Sequence, residues 1–327
     1  TPDAAEHNTN ILRDHQWDFA AFLLSQKDTT LAYGSEFRPL AQLELVLGKH
    51  PLFGELRTLL THGMDYRFSA TITETQRVDE TRAMIARGNH KSAQKRGHEV
   101  KKALTKDVIH GFSLPILAER IQDIPGAMVQ PLGMAEQLTL SANGERVPKY
   151  RLTQDLLFSL TAPNLSVNSR IDMQAYPDMV YGWCLLRIVH YIVALREQHP
   201  TTRIFITKYD YSDAYRRIAH AASAAIQSIA LFGGLAFIAL RLTFGGSPNP
   251  PTWCLFSEMV TDLANELLLC PDWRPATLHN PDQPIVPPHR IRGPVSTLAT
   301  SLPLAVQIPT TATLRVDGFI DDLIAVL

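Results

Sequence analysis

Three carboxylates stand where their spacing could do chemistry. Asp210 closes a short β-rich run, Arg203-Ile204-Phe205-Ile206-Thr207-Lys208-Tyr209-Asp210, and Asp321-Asp322 lie between Phe319-Ile320 and Leu323-Ile324. A pair of acids in so apolar a setting is costly unless it is paired or metal-bound. Mg²⁺ takes oxygen ligands and keeps several waters, so one carboxylate at a strand end and one or two at a neighbouring turn suffice to hold it. Two such ions, about 3.5–4 Å apart, serve an in-line displacement at phosphorus, one at the attacking oxygen and one at the leaving oxygen. Singly, each acid has a plainer reading. An Asp at a strand end is commonly a turn or cap residue, and an Asp-Asp pair commonly marks a solvated turn.

The elements that must position these residues follow from periodicity. Residues 1–80 read as mostly helical, with Trp17, Phe19, Phe22, Leu23, Leu40, Leu43 and Leu47 recurring at roughly helical spacing. Between Arg82 and Lys106 lies a basic stretch, Arg82, Arg87, Lys91, Lys95, Arg96, Lys101, Lys102 and Lys106, relieved only by Glu99. It fits a phosphate-holding stripe or a solvated helix face. Residues 135–155 predict a hairpin turning at Asn143-Gly144, and residues 179–197 predict a helix ended by His199-Pro200. The run 237–244 reads as a strand, and a helix is expected from Asn249 through Trp253, Leu255, Met259 and Leu267. Nine of the 22 prolines fall in 271–309, which therefore reads as a long irregular connection. Residues 314–327 read as two short apolar runs with Asp321-Asp322 at or near a hairpin tip.

The bulk numbers narrow the class. The chain has 327 residues, 45% hydrophobic and 19% charged, enough for a sizeable core and unlike a disordered chain. With a formal net charge of −1, nucleic-acid binding would need its positive charge concentrated locally. The three cysteines, Cys184, Cys254 and Cys270, are widely spaced and odd in number, which points away from a disulfide framework and towards a reducing, intracellular compartment, cytoplasm or nucleus. No signal-peptide pattern opens the chain. The stretch Ala221 to Leu240 carries no Asp, Glu, Lys or Arg, but Ser223, Gln227, Ser228 and Gly233-Gly234 favour a buried helix followed by a buried strand over a membrane span.

Three short segments carry a family resemblance. Lys208-Tyr209-Asp210-Tyr211-Ser212-Asp213-Ala214-Tyr215 resembles the first palm motif of reverse transcriptases, an Asp followed four and five residues later by a small residue and an aromatic. Phe244-Gly245, then Pro250 and Trp253, is similar to the second motif, and Phe319-Ile320-Asp321-Asp322 to the third, in the same chain order. Upstream, Lys149-Tyr150-Arg151 with Asp155, and the run Asn164 to Arg170, resemble the fingers of these enzymes, so the resemblance covers roughly 107–327. The segment Arg241-Leu242-Thr243-Phe244-Gly245-Gly246 is similar to that of retroelement (retrotransposon-type) enzymes. Departures are Leu242-Thr243 where the family has a hydrophobic residue and Pro, and Phe319 where many members carry Tyr.

The resemblance implies an α+β fold, a right-hand polymerase with fingers and palm, the antiparallel palm sheet backed by helices and the thumb missing. It divides the chain into a mostly helical extension (1–106, basic from 82 to 106), fingers (107–170) and a palm (171–327) truncated after the third motif. The implied activity is that of an RNA-directed DNA polymerase, a piece of a retrotransposon polyprotein that adds deoxynucleotides to a primer 3′-end on an RNA or DNA template. Asp210, Asp321 and Asp322 would be catalytic. With backbone atoms of Tyr211 they would hold two Mg²⁺ ions, or Mn²⁺ in their place. Lys149, Arg151, Tyr215, Gly245 and Gly246 would bind the dNTP, Tyr215 excluding a 2′-hydroxyl. Lys91, Lys95, Arg96, Lys101 and Lys102 would bind nucleic acid. No membrane partner is expected; a thumb and RNase H belong to the family polyprotein and find no place in this sequence. The alternatives are an inactive, nucleic-acid-binding remnant of such an element and an RNA-dependent RNA polymerase. Against the latter stand Ile320, where a glycine is usual, and Tyr215.

Overall fold

The computed structural model describes residues 1–26, 29, 37–177, 179, 184–268 and 315–327. The expected irregular connection 271–309 and Cys270 lie outside the described residues. Among those described, the helices are α1 (Pro2–Asp14), α2 (Phe19–Ser25), α3 (Leu40–Leu47), α4 (Phe53–His62), α5 (Glu74–Arg87), α6 (Lys91–Lys95), α7 (Gly97–Ile109), α8 (Val167–Arg170), α9 (Cys184–Gln198), α10 (Ala222–Ala225) and α11 (Asn249–Leu268). The strands are β1 (Ser113–Leu117), β2 (Leu132–Leu140), β3 (Arg146–Gln154), β4 (Ile206–Asp210), β5 (Ile229–Phe232), β6 (Leu235–Ala239), β7 (Arg315–Phe319) and β8 (Asp322–Val326). The chain is a mixed α+β protein whose sheets are small and antiparallel.

It forms two compact units, each assembled from separate stretches of chain: 1–35, 62–175 and 215–249 in one, 36–61, 176–214 and 250–327 in the other. These divisions fall elsewhere than the expected boundaries at 106/107 and 170/171.

The first unit is built on the sheet β1-β6-β5. Leu114, Ile116, Ile229, Ala236 and Ile238 join Leu12, Phe19, Phe22 and Leu23 of α1 and α2 in one buried cluster. Pro115 withholds a backbone donor on the edge strand β1. Helix α1 covers that edge, with Asn8 Nδ2 donating to the Pro115 carbonyl at 2.9 Å and Leu117 N donating to Thr9 Oγ1 at 2.9 Å. The expected hairpin is present as β2-β3, Leu132 opposite Gln154 and Leu140 opposite Arg146. Two expectations need correction. The apolar run from Ala221 holds only one helical turn, α10, before β5. It turns at Gly233 and Gly234, both at positive φ, 60° and 79°, as a two-residue hairpin requires. The second strand, β6, ends at Ala239 rather than reaching 244. Short apolar runs do not distinguish a buried helix from a buried strand.

In the second unit the sheet order is β4-β8-β7. Helix α9, described from Cys184, lays Cys184, Ile188, Tyr191 and Leu195 against Val326 of β8. In its described portion Leu186 is 48% exposed, and the buried face carries Arg187. Helix α11 begins at Asn249 as expected and follows the same strands: Asn265 Nδ2 donates to the Val316 carbonyl at 2.8 Å and Asn265 Oδ1 accepts from Val316 N at 2.9 Å. No described helix is long and apolar enough to cross a membrane.

Candidate active site

The three carboxylates of the second unit converge through strand register. β4 and β8 pair antiparallel with Asp210 directly opposite Asp322, while β7 and β8 pair with Phe319 opposite Asp322. Residues directly opposite in an antiparallel pair point to the same face, so Asp210 and Asp322 share one. Ile320 and Asp321 form the two-residue connection between β7 and β8. Ile320 has φ 55°, the left-handed region, where a β-branched side chain is strained by about 1–3 kcal/mol. Both carbonyls of the turn are held. The fully buried Trp253 donates Nε1–H to the Ile320 carbonyl at 2.6 Å, and Tyr211 N donates to the Asp321 carbonyl at 2.8 Å. The Tyr211 ring stands edge-on to Trp253, centroids 5.2 Å apart, and burial pushes its phenol up to about 12.

Lys208, two residues before Asp210, places Nζ 2.7 Å from Asp322 Oδ2. The lysine is held above its ordinary range, first by that hydrogen bond to Asp322 and further by the charges of Asp322, Asp210 and Asp321. The other oxygen, Asp322 Oδ1, is shielded from solvent and has no hydrogen-bond partner among the described residues. An all-oxygen donor set with a buried, unpartnered carboxylate oxygen fits a hard divalent cation. Among the described residues no three His, Cys, Asp or Glu side chains form a preassembled cage.

Further along β7 lies a buried charge cluster that periodicity did not reveal. Arg187 of α9 donates Nε–H to Asp317 Oδ2 at 2.7 Å and an Nη2 hydrogen to Asp317 Oδ1 at 2.5 Å, with both side chains buried. Glu258 of α11 is driven up to about 8, chiefly by burial and also by Asp317 and Asp262, with Arg187 opposing. His50 reaches Asp262 through Nε2 at 3.1 Å. Burial raises Asp262, and the bond from His50 opposes it. The signal available in the sequence was polar residues on apolar faces: Arg187 between Cys184 and Tyr191, and Glu258 and Asp262 on α11.

All five expected nucleotide-recognition residues, Lys149, Arg151, Tyr215, Gly245 and Gly246, fall in the first unit. The rings of Tyr215 and Phe244 meet with centroids 5.1 Å apart, and the Arg151 guanidinium carbon lies 5.9 Å from the Phe244 centroid. Lys149 is exposed and shares a face of β3 with Arg151. Gly245 has φ 129°, and a Cβ there would overlap the Gln154 carbonyl oxygen, so glycine is required by the fold itself. Asn168, from the fingers-like run, clamps this loop: its Nδ2 donates to the Gly245 carbonyl at 2.7 Å and its Oδ1 accepts from Ser247 N at 2.9 Å. Gly246 is buried, and a Cβ there would press on the Asn249 side chain.

The basic stretch is broken over the end of α5, α6 and α7. Lys91, Lys95, Lys101 and Lys102 are exposed on the last two. Arg96 is drawn aside, its Nη2 3.1 Å from Glu136 Oε2 and its guanidinium carbon 4.8 Å from the Tyr150 centroid.

No protein-family model matches the chain, and no curated protein matches it.

Proposed function

We propose that this chain is the fingers-and-palm portion of a retroelement-type reverse transcriptase, adding deoxynucleotides to a primer 3′-end. The observation that carries the reading is the register of the second sheet. Residues more than 100 positions apart in sequence, Asp210 and Asp322, lie face to face across β4 and β8, with Asp321 in the adjoining turn. Separate motifs of the resemblance thus meet as a polymerase would need. A right-hand polymerase fold is part of the same proposal.

Divalent cations at Asp210 and Asp321, Mg²⁺ or Mn²⁺, would lower the pKa of the primer hydroxyl and offset charge on the leaving phosphates. The protein's own contribution is positioning. Asp210 is fixed at the end of a paired strand; Asp321 is fixed by a turn whose two carbonyls are both tied down. Arg151 presents a planar fork suited to two phosphate oxygens, and Lys149 a point charge. Tyr215, packed on Phe244, would offer the deoxyribose a flat face that leaves no space for a 2′-hydroxyl.

The test is primer extension on an RNA template with Mg²⁺, using Asp210→Asn and Asp321→Asn. Each should lower the rate by about a hundred- to a thousand-fold with RNA binding retained. An Asp321→Asn protein that extends primers as well as the parent sinks the proposal. A parent that binds RNA and never extends a primer favours the binding-only remnant.

A further inference from the structure

Lys208 has no part in the roles proposed for the carboxylates, yet among the described residues it is the cation in contact with them. Side chains two apart on a strand share a face, so Lys208 stands beside Asp210 and diagonal to Asp322. Its ammonium spends itself on Asp322 Oδ2, 2.7 Å away, and on neither of the other two acids at hydrogen-bond distance. Asp322, Asp210 and Asp321 all act on its charge, so one ammonium stands against three carboxylates.

We infer that Lys208 is a built-in counter-ion that occupies Oδ2 of Asp322 and lowers the affinity of the carboxylate cluster for divalent cations. The inference rests on the carboxylate reading above and deepens it. It assigns different work to the two oxygens of Asp322: Oδ2 is held by the protein's own charge, while Oδ1 has no partner among the described residues and, with Asp321 in the adjoining turn, is left open to a metal. An ammonium at contact distance lies well inside the roughly 10 Å over which salt at about 0.1 M leaves charges unscreened. It therefore acts on any cation that enters. Removing it takes away a repelling charge and frees the second oxygen of Asp322.

The experiment is titration of the full chain with Mn²⁺, followed by the electron-paramagnetic-resonance signal of free Mn²⁺, so that no catalysis is needed. Lys208→Met should tighten Mn²⁺ binding by about tenfold, Lys208→Arg should stay within about threefold of the parent, and adding Asp322→Asn to Lys208→Met should return the affinity towards the parent value. The Lys208 side chain is 60% exposed, so these changes leave the core intact, which circular dichroism checks. If Lys208→Met binds Mn²⁺ no more tightly than the parent while Asp210→Asn loses binding, the counter-ion inference is wrong and the carboxylate reading stands. If neither the parent nor Lys208→Met binds Mn²⁺ at millimolar concentration, the carboxylate reading fails and takes the inference with it.

Discussion

The two three-stranded sheets of this protein are the same size and both antiparallel, and they are made of opposite materials. In β1-β6-β5 every side chain but that of Ser113 is apolar and most are buried, with Leu114, Ile116, Ala236 and Ile238 at 2% exposure or less. In β4-β8-β7 the edge strand β4 is largely exposed and carries Lys208 and Asp210, while β7 buries Arg315 and Asp317. A sheet that serves only as scaffold gains from apolar burial at about 25 cal/mol per Å². Charges taken out of water repay their desolvation only with excellent partners. The contrast therefore separates a region that supplies stability from one that spends some on holding charges and a strained turn in place.

The sharpest way to break that comparison is to remove one partner of the buried pair in the second sheet. Arg187→Leu should cost about 3–5 kcal/mol, because it removes both guanidinium bonds from the buried Asp317 carboxylate and leaves it the Gly318 amide at 2.9 Å, the Cys184 thiol and the more distant charge of Arg315. Adding Asp317→Leu should recover most of the loss, since an apolar pair of similar volume often matches a buried ion pair. Urea unfolding of the single and double variants measures both. A double variant as unstable as the single one would mean that this sheet depends on its charges for stability as the first depends on its aliphatic side chains.

A smaller effect, of opposite sign in the two units, comes from pH. In the first unit His220 is fully buried, and its Nδ1–H donates to the Ala239 carbonyl at 3.1 Å. Burial depresses it to about 3, with Arg216 and Arg241 adding to the effect. Between about 3 and 6.5 the unfolded chain binds the proton and the folded one does not, so this unit loses stability as pH falls through that window. Glu258 in the second unit is raised from 4.5 to about 8, so there the folded state holds the proton; stability is full below about 4.5 and lost as pH rises towards 8. Amide hydrogen exchange, corrected for intrinsic rates, should show protection of β5-β6 relative to β7-β8 rising between pH 5 and pH 8. Glu258→Gln should flatten the contribution of the second unit. A ratio that does not move with pH would remove the electrostatic half of the contrast.

The two regions also differ in how far the sequence reveals them. The β2-β3 hairpin was legible because a polar turn ending on Gly144 separates two runs of strand-forming residues, and only Gly144 of that turn takes positive φ, 78°. The ends of β4, β7 and β8 were legible because charge interrupts apolar runs there. The β5-β6 hairpin was missed because it has no polar residue near its turn and reads as one continuous apolar stretch. The pooling of the 1–35 stretch with 62–175 and 215–249 was not legible either: α1 reaches β1 through Asn8 and Thr9, a contact more than 100 residues long that no local pattern encodes. At the candidate site the acids were legible singly, whereas their partners were not. Lys208 looks like any strand lysine, and Trp253 like any core aromatic, until pairing sets one beside Asp322 and the other beneath the Ile320 carbonyl.

The smallest expected effect tests whether the strain at Ile320 belongs to function. Glycine adopts φ 55° without steric cost, so Ile320→Gly relieves strain of about 1–3 kcal/mol while adding about 0.5–1 kcal/mol of entropy loss on folding. The net should be a gain in stability of about 1 kcal/mol, seen as a higher urea midpoint with an unchanged slope. If the strained turn is what holds Asp321 in position, the same variant should bind Mn²⁺ more weakly despite being the more stable protein. That pairing of opposite signs is diagnostic, because a turn that served only to connect β7 to β8 would become more stable with no change in metal affinity. A destabilised Ile320→Gly protein would show instead that the isoleucine side chain contributes more through packing than its backbone conformation costs.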